Sequence, residues 1–187
     1  IVDETKRLSF QVEKVLQISL LENEKSIMKF NDCDINQIVS NVVDNFKIKV
    51  KSKGGEIIAD LKATSPWATV DELHFTNIIF NLLDNAVKYS KPDEPLLLKV
   101  RTYNNENEET LYVTVEDNGI GIKKEHLKRI FDKFHRVPTG NVHNVKGFGL
   151  GLAYVKKMVE KHDGTIKAES EPNIGTIFTI TIPTIKK

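Results

Sequence analysis

The sequence predicts an α+β fold. Its form is a two-layer sandwich: a mixed, mostly antiparallel sheet with helices on one face, a mobile lid-like connection and a preceding helical segment. Three observations carry this. Residues 35–50 and 71–89 place apolar side chains at helical spacing, while 96–103, 110–117, 165–170 and 175–182 alternate with a period of two. Between the two kinds of segment, residues 118–147 hold Gly, Pro and Asn with little periodicity, and a connection that long is usually a lid or binding loop.

Taken in order, residues 1–27 repeat Ile1, Leu8, Val12, Val15 and Leu16 at spacings of three and four, with charges between. So narrow a stripe suits a helix paired with another helix. Ile35, Ile38, Val39, Val42, Val43, Phe46 and Val50 mark a second helix, with Asp34 and Gln37 as a capping box and Gly54-Gly55 as its end. Lys47, Lys49, Lys51 and Lys53 read as its solvated end. Strands over 56–61 and 67–70 follow, then a helix over 71–89 capped by Asp71. Strands 96–103 and 110–117, joined by the polar NNENEE, form a hairpin. A short helix is expected over 125–131. Another runs over 149–162, with Leu152, Val155, Val159 and His162 on one face and Gly164 after it.

The composition narrows the function classes. With 27 basic and 26 acidic residues the net charge is +1, which gives no support for a nucleic-acid or anionic-membrane surface. The single cysteine, Cys33, excludes an intrachain disulfide, fits a reducing compartment and is expected near a strand end. No apolar run approaches the roughly 20 residues that span a bilayer. The chain begins on Ile1, so it is expected to be a piece of a longer protein whose membrane segment could lie upstream.

Four stretches could carry chemistry. In NLLDNAVKYS, Asn81 and Asn85 with Asn77, Asp84 and Lys88 form one helical stripe where Glu, Lys or Gln would favour helix more. An Asn carbonyl oxygen is a hard ligand suited to Mg²⁺, and Lys88 would face phosphates as a point charge. In EDNGIGI, the alternation of Leu111, Val113 and Val115 places Asp117 on the inward face, where a carboxylate needs a donor such as an adenine amino group. Gly119 and Gly121 would let a flat ring approach the backbone. In KGFGLGL, alternating glycines precede a helix whose first amides can face anionic oxygens. In FDKFHRV, Phe131 and Phe134 would anchor a mobile loop, with Lys133 and Arg136 towards solvent or phosphates. Each stretch alone fits a bland alternative: a polar helix face, a turn, a hinge, local packing.

In this order, the motifs resemble the ATP-binding catalytic domain of sensor histidine kinases, in the superfamily shared with DNA gyrase, Hsp90 and MutL. NLLDNAVKYS is similar to the N box, DNGIGI to the G1 box, FDKF to the F box, GFGLGL to the G2 box and Gly175-Thr176 to the last glycine box. RLSFQVEKVLQISLLENEK resembles the end of the second dimerisation helix, so 1–27 would be that helix and 28–187 the catalytic domain. The resemblance implies that Asn85 holds Mg²⁺, with Asn81 supporting it directly or through water. Lys88 would meet phosphates and Tyr89 would lie against the nucleotide. Asp117 would accept from the adenine amino group, with Gly119 and Gly121 beside the ring. Gly147, Gly149, Leu150 and Gly151 would form the lid hinge and phosphate-facing amides, with Lys133, Arg136 and Thr176 completing the ATP site.

The gyrase-like branch places a water-activating glutamate four residues before the metal asparagine. Here that position is Asn81, which cannot act as a general base, so transfer to a side chain is favoured over hydrolysis. The acceptor would be a histidine on a dimerisation helix absent from this chain. None of His74, His126, His135, His143 and His162 has the acidic-basic context of a phosphoacceptor, and all five read as structural. The implied partners are the upstream dimerisation helices, within a homodimer, and a response regulator. The implied place is the cytoplasmic side of an inner-membrane sensor. A regulatory nucleotide-binding module and a dimerisation module are the rival readings.

Overall fold

A computed structural model describes residues 28–137 and 149–185. The helix expected over 1–27 lies outside the described residues, and so does the stretch 138–148, with Gly147 and His143. Strand β1 (Phe30–Asp34) pairs antiparallel with β3 (Trp67–Asp71) in a small sheet of its own. The main sheet has the order β2-β4-β5-β7-β6, built from β2 (Glu56–Leu61), β4 (Leu97–Asn104), β5 (Thr110–Asp117), β6 (Thr165–Glu171) and β7 (Gly175–Pro183). Only β2 and β4 are parallel; the other pairings are antiparallel, so the sheet is mixed and mostly antiparallel as the sequence predicts.

Alternation sorts the two faces. Leu98, Val100, Val113, Val115, Phe178 and Ile180 point into the core and are buried. Their neighbours Lys99, Arg101 and Glu116 form cross-strand ion pairs on the other face, where Tyr103 stacks on Tyr112 with ring centroids 4.9 Å apart. The core is closed by helices α1 (Ile35–Lys51), α2 (Glu72–Lys88) and α4 (Gly151–Lys161), while the four-residue α3 (Lys124–Leu127) lies against β6. Phe75, Ile78, Ile79, Leu82 and Leu83 of α2 are fully buried, each worth about 1.5–3 kcal/mol in transfer from water.

Several local expectations shift. Asp34 caps α1 by accepting from the Gln37 N–H at 3.1 Å, but the Gln37 side chain turns to Asn41 Oδ1, so the capping box is half formed. The lysine run is not simply solvated: Lys49 Nζ lies 2.7 Å from Asp84 Oδ1, and Lys53 Nζ donates to the Val87 carbonyl. Both tie α1 to α2. The short helix expected over 125–131 stops at Leu127. Beyond it, Arg129 N–H bonds to His126 O and Asp132 N–H to Arg129 O, three-residue steps that coil the chain more tightly than an α-helix. This turn buries Ile130 and sets Phe131 edge-on to Phe178. The helix expected from 149 starts at Gly151, because Gly149 sits at φ +70 outside helical geometry. Strand β1 was not expected: FNDCD has no alternation and two acidic residues. Cys33 does lie near its end.

Candidate functional site

Helix α2 is capped by Asp71, whose Oδ1 accepts from the His74 N–H at 3.1 Å while Oδ2 takes the Lys29 N–H at 2.7 Å. Burial pushes this carboxyl up, but those hydrogen bonds and the nearby His74 and His162 outweigh it and hold it below its ordinary value. From this start the helix projects Asn77, Asn81, Asp84, Asn85 and Lys88 along one side, all but Lys88 half-buried. Asn81 Nδ2 donates to the Asn77 carbonyl at 2.7 Å, and Asn81 Oδ1 lies beside Gly151, where a Cβ would come within 3.0 Å of it. Among the described residues no hydrogen bond engages the Asn85 carboxamide. Lys88, expected to face phosphates, lies 2.5 Å from Asp84 Oδ2. Burial raises the Asp84 carboxyl, yet Lys49 and Lys88 together keep it below its usual range. Asp84 is therefore the counter-ion that holds Lys88, a role the stripe alone did not reveal.

The helix ends on Tyr89, whose carbonyl accepts the Ile120 N–H at 3.0 Å. This brings the end of α2 against the loop after β5. There, Asp117 Oδ1 accepts the Gly119 N–H at 2.8 Å, and the carboxylate also takes the Thr176 N–H. Burial pushes the Asp117 carboxyl up to about 6. The two N–H groups pull against that shift, and the charge of Glu116 adds to it. The Thr176 hydroxyl is 2.9 Å from Ser170 Oγ, which donates to the Gly175 carbonyl and accepts the Ile122 N–H. Ser170 thus ties both walls around Asp117. Sequence reasoning missed it, because a lone serine on an edge strand gives no signal. Asn118 fixes the same loop to β4, accepting from the Leu97 N–H and donating to the Pro95 carbonyl.

The two loop glycines serve the chain as well as any ligand. A Cβ on Gly119 would sit 2.6 Å from the Tyr89 carbonyl oxygen, and one on Gly121 would lie 2.0 Å from that of Glu171. Neighbouring backbone by itself requires their small size.

The remaining residues approach from the lid side. Phe134 N–H donates to the Gly149 carbonyl at 2.9 Å, joining the FDKF turn to the glycine loop. Lys133 and Arg136 are exposed on that turn. Leu150 is buried, so what it offers towards a ligand is backbone rather than side chain. A cleft of about 480 Å³ opens near Asp117 and Thr176. Its floor is Lys99, Glu116, Ile177 and Glu169, the row facing away from α2, so it is not the helix-side site.

A carboxylate beneath a glycine loop, a helix of neutral amide donors and a second glycine loop opening a helix define a nucleotide-binding ATPase fold. The chain belongs to the histidine kinase-, DNA gyrase B- and HSP90-like ATPase family, whose model matches residues 70–186. Its relatives include bacterial sensor proteins. It is 56% identical over 184 residues to the sensor protein RprX of Bacteroides fragilis, covering 98% of this chain and 35% of that protein. It is 33% identical over 181 residues to the sensor histidine kinase WalK of Bacillus subtilis, covering 97% of this chain and 29% of that one. The chain thus spans about a third of the length of these relatives. In fold it matches full-length ShkA in complex with AMPPNP at a TM-score of 0.82 and 23% identity, over 99% of this chain and 37% of that one. It matches the catalytic domain of histidine kinase ThkA at 0.71 and 23%, over 84% of this chain and 99% of that one.

Proposed function

We propose that this chain binds Mg²⁺·ATP and donates the γ-phosphate to a histidine on a dimerisation helix, for relay to a response-regulator aspartate. The observation that carries the reading is Asp117. Burial pushes its carboxyl up, and two backbone N–H groups only partly offset this. A further N–H donor, such as the adenine amino group, would stabilise the ionised form in this half-buried setting, where it is costly. ThkA has been crystallised with the response regulator TrrA, a partnership of the kind proposed here.

The donor set fits Mg²⁺. Asn85 and Asn81 supply neutral oxygens of the hard kind, with the charge left to come from phosphates. Mg²⁺, when bound, neutralises charge on the phosphate oxygens. Asn85 would hold it, and Asn81, fixed through Nδ2 on Asn77 O, would support it. Asn81 cannot take a proton from water, which favours transfer over hydrolysis. In the transfer, the bond from the γ-phosphorus to the β,γ-bridging oxygen breaks. A phosphorus–nitrogen bond forms on the acceptor imidazole, and ADP leaves. Protein catalysis of such a step is positioning and charge neutralisation.

The reading places the chain on the cytoplasmic side of an inner-membrane sensor, working as a homodimer through residues 1–27 and the helices before them. Among the described residues no helix is long and apolar enough to cross a membrane. The test is to mix the chain with γ-labelled ATP and a separately produced phosphoacceptor helix pair from the full-length protein. Acid-labile, base-stable label on the helix pair is expected. Release of free phosphate without labelled protein would refute transfer and restore the hydrolase reading.

A further inference from the structure

Helices α2 and α4 pack antiparallel, and polar groups touch along the seam. Gly151, the first residue of α4, lies beside Asn81 Oδ1. One turn later, the Tyr154 hydroxyl lies 2.9 Å from His74 Nδ1 and is hydrogen-bonded by the Asn77 side chain. At the far end, His162 Nε2 accepts the Asp71 N–H at 3.0 Å, while its Nδ1 lies 2.6 Å from the Met158 carbonyl. Moving forward along α4 thus moves backward along α2. His74, Asn77 and Asn81 follow at i, i+3 and i+7, which is one stripe.

Tyr154 is 2% exposed and His74 8%, so water is a poor substitute for either partner. The phenol stays protonated, its pKa pushed up to about 12, chiefly by burial. Apolar contacts along a helix seam are non-directional and tolerate a small slide. A buried hydroxyl bonded to two side chains on the facing helix does not. It fixes how far α4 sits along α2, and therefore where the Gly149–Gly151 backbone lies relative to Asn81.

We propose that Tyr154 is a positioning residue for the nucleotide phosphates, setting the axial register between the helix that carries Asn81 and Asn85 and the helix that opens from the glycine loop. The inference rests on the ATP-site reading above. Tyr154 touches neither metal nor phosphate. It acts through Asn77, whose carbonyl holds the Asn81 amide.

The test compares binding of adenosine and of a non-hydrolysable ATP analogue with Mg²⁺ to the wild-type chain and to Tyr154→Phe. Val159→Ala serves as a control that loosens the same helix without touching the polar seam. In Tyr154→Phe, adenosine affinity should stay within about twofold while the ATP analogue weakens about tenfold, the loss of one directional contact felt at the phosphates. In Val159→Ala the ratio of the two affinities should match wild type. If Tyr154→Phe does not fold, Asn77→Ala, which leaves the ring in place, carries the same expectation. A ratio unchanged in the hydroxyl-loss variant, or changed equally in Val159→Ala, overturns the inference. Wild-type protein that binds adenosine and ATP analogue alike refutes the ATP-site reading itself, and this inference with it.

Discussion

Replacing Asp117 by Asn should stabilise the free domain and cripple its use of adenine nucleotides, two effects of opposite sign from one atom. Burial raises this carboxyl from 3.8 to about 6. An acid raised in the folded state binds its proton more tightly there than when unfolded. The native state is therefore favoured at low pH, and that favour is lost as pH rises from about 4 through about 6. A rise from 3.8 to about 6 corresponds to at most about 3 kcal/mol, and screening at this partly exposed site reduces it to about 1–2 kcal/mol. At pH 7.5 Asp117→Asn should unfold at higher temperature than wild type, with the gap narrowing as pH is lowered towards 4. Nucleotide binding should respond the other way. The adenine amino group needs the ionised acceptor, so wild-type affinity for an ATP analogue should fall about tenfold between pH 7 and pH 5. Asp117→Asn should show weak binding without that step. Calorimetric titration at each pH, beside thermal unfolding of both proteins, reads both effects. Wild-type affinity flat across this range, or an Asp117→Asn variant less stable at pH 7.5, would refute the reasoning.

Asn85→Ala should abolish the Mg²⁺ dependence of ATP-analogue binding while leaving adenosine affinity unchanged, measured by titration with and without the metal. Gly121→Ala, with φ +67 and a Cβ 2.0 Å from the Glu171 carbonyl oxygen, should destabilise the domain by roughly 2–4 kcal/mol in urea unfolding. Burial holds His162 below its ordinary pKa, despite the Met158 carbonyl at Nδ1 and the nearby Asp71 carboxylate, which favour charging. Its contribution is thus present above about 6.5 and lost as pH falls below that value. His162→Gln should cost roughly 1–3 kcal/mol at pH 7.5 and flatten this acid limb of the stability profile.

Much of the architecture was legible because burial follows period. The alternation in 110–117 and the helical spacing in 35–50 each predict the observed element to within a residue or so. Elements without a periodic signal were not: β1 is held by pairing with β3, a contact 30 or more residues away that FNDCD itself does not announce. The site divides the same way. Asn81, Asn85 and Asp117 stand out because their residue types are unusual for their places. What each side chain does with its neighbours depends on which helices pack together. Lys49 reaching Asp84 and Tyr154 reaching His74 are products of α1–α2 and α2–α4 packing. The loop glycines show a further limit, since sequence cannot tell room for a ring from room for a carbonyl.

The most direct measurement is calorimetric titration of the chain with a non-hydrolysable ATP analogue, with and without Mg²⁺, for wild type and Asp117→Ala. The account predicts saturable wild-type binding that Mg²⁺ strengthens and that Asp117→Ala weakens, with relaxed preference for adenine over guanine. Equal affinity in both proteins, or wild-type binding indifferent to Mg²⁺, would contradict it.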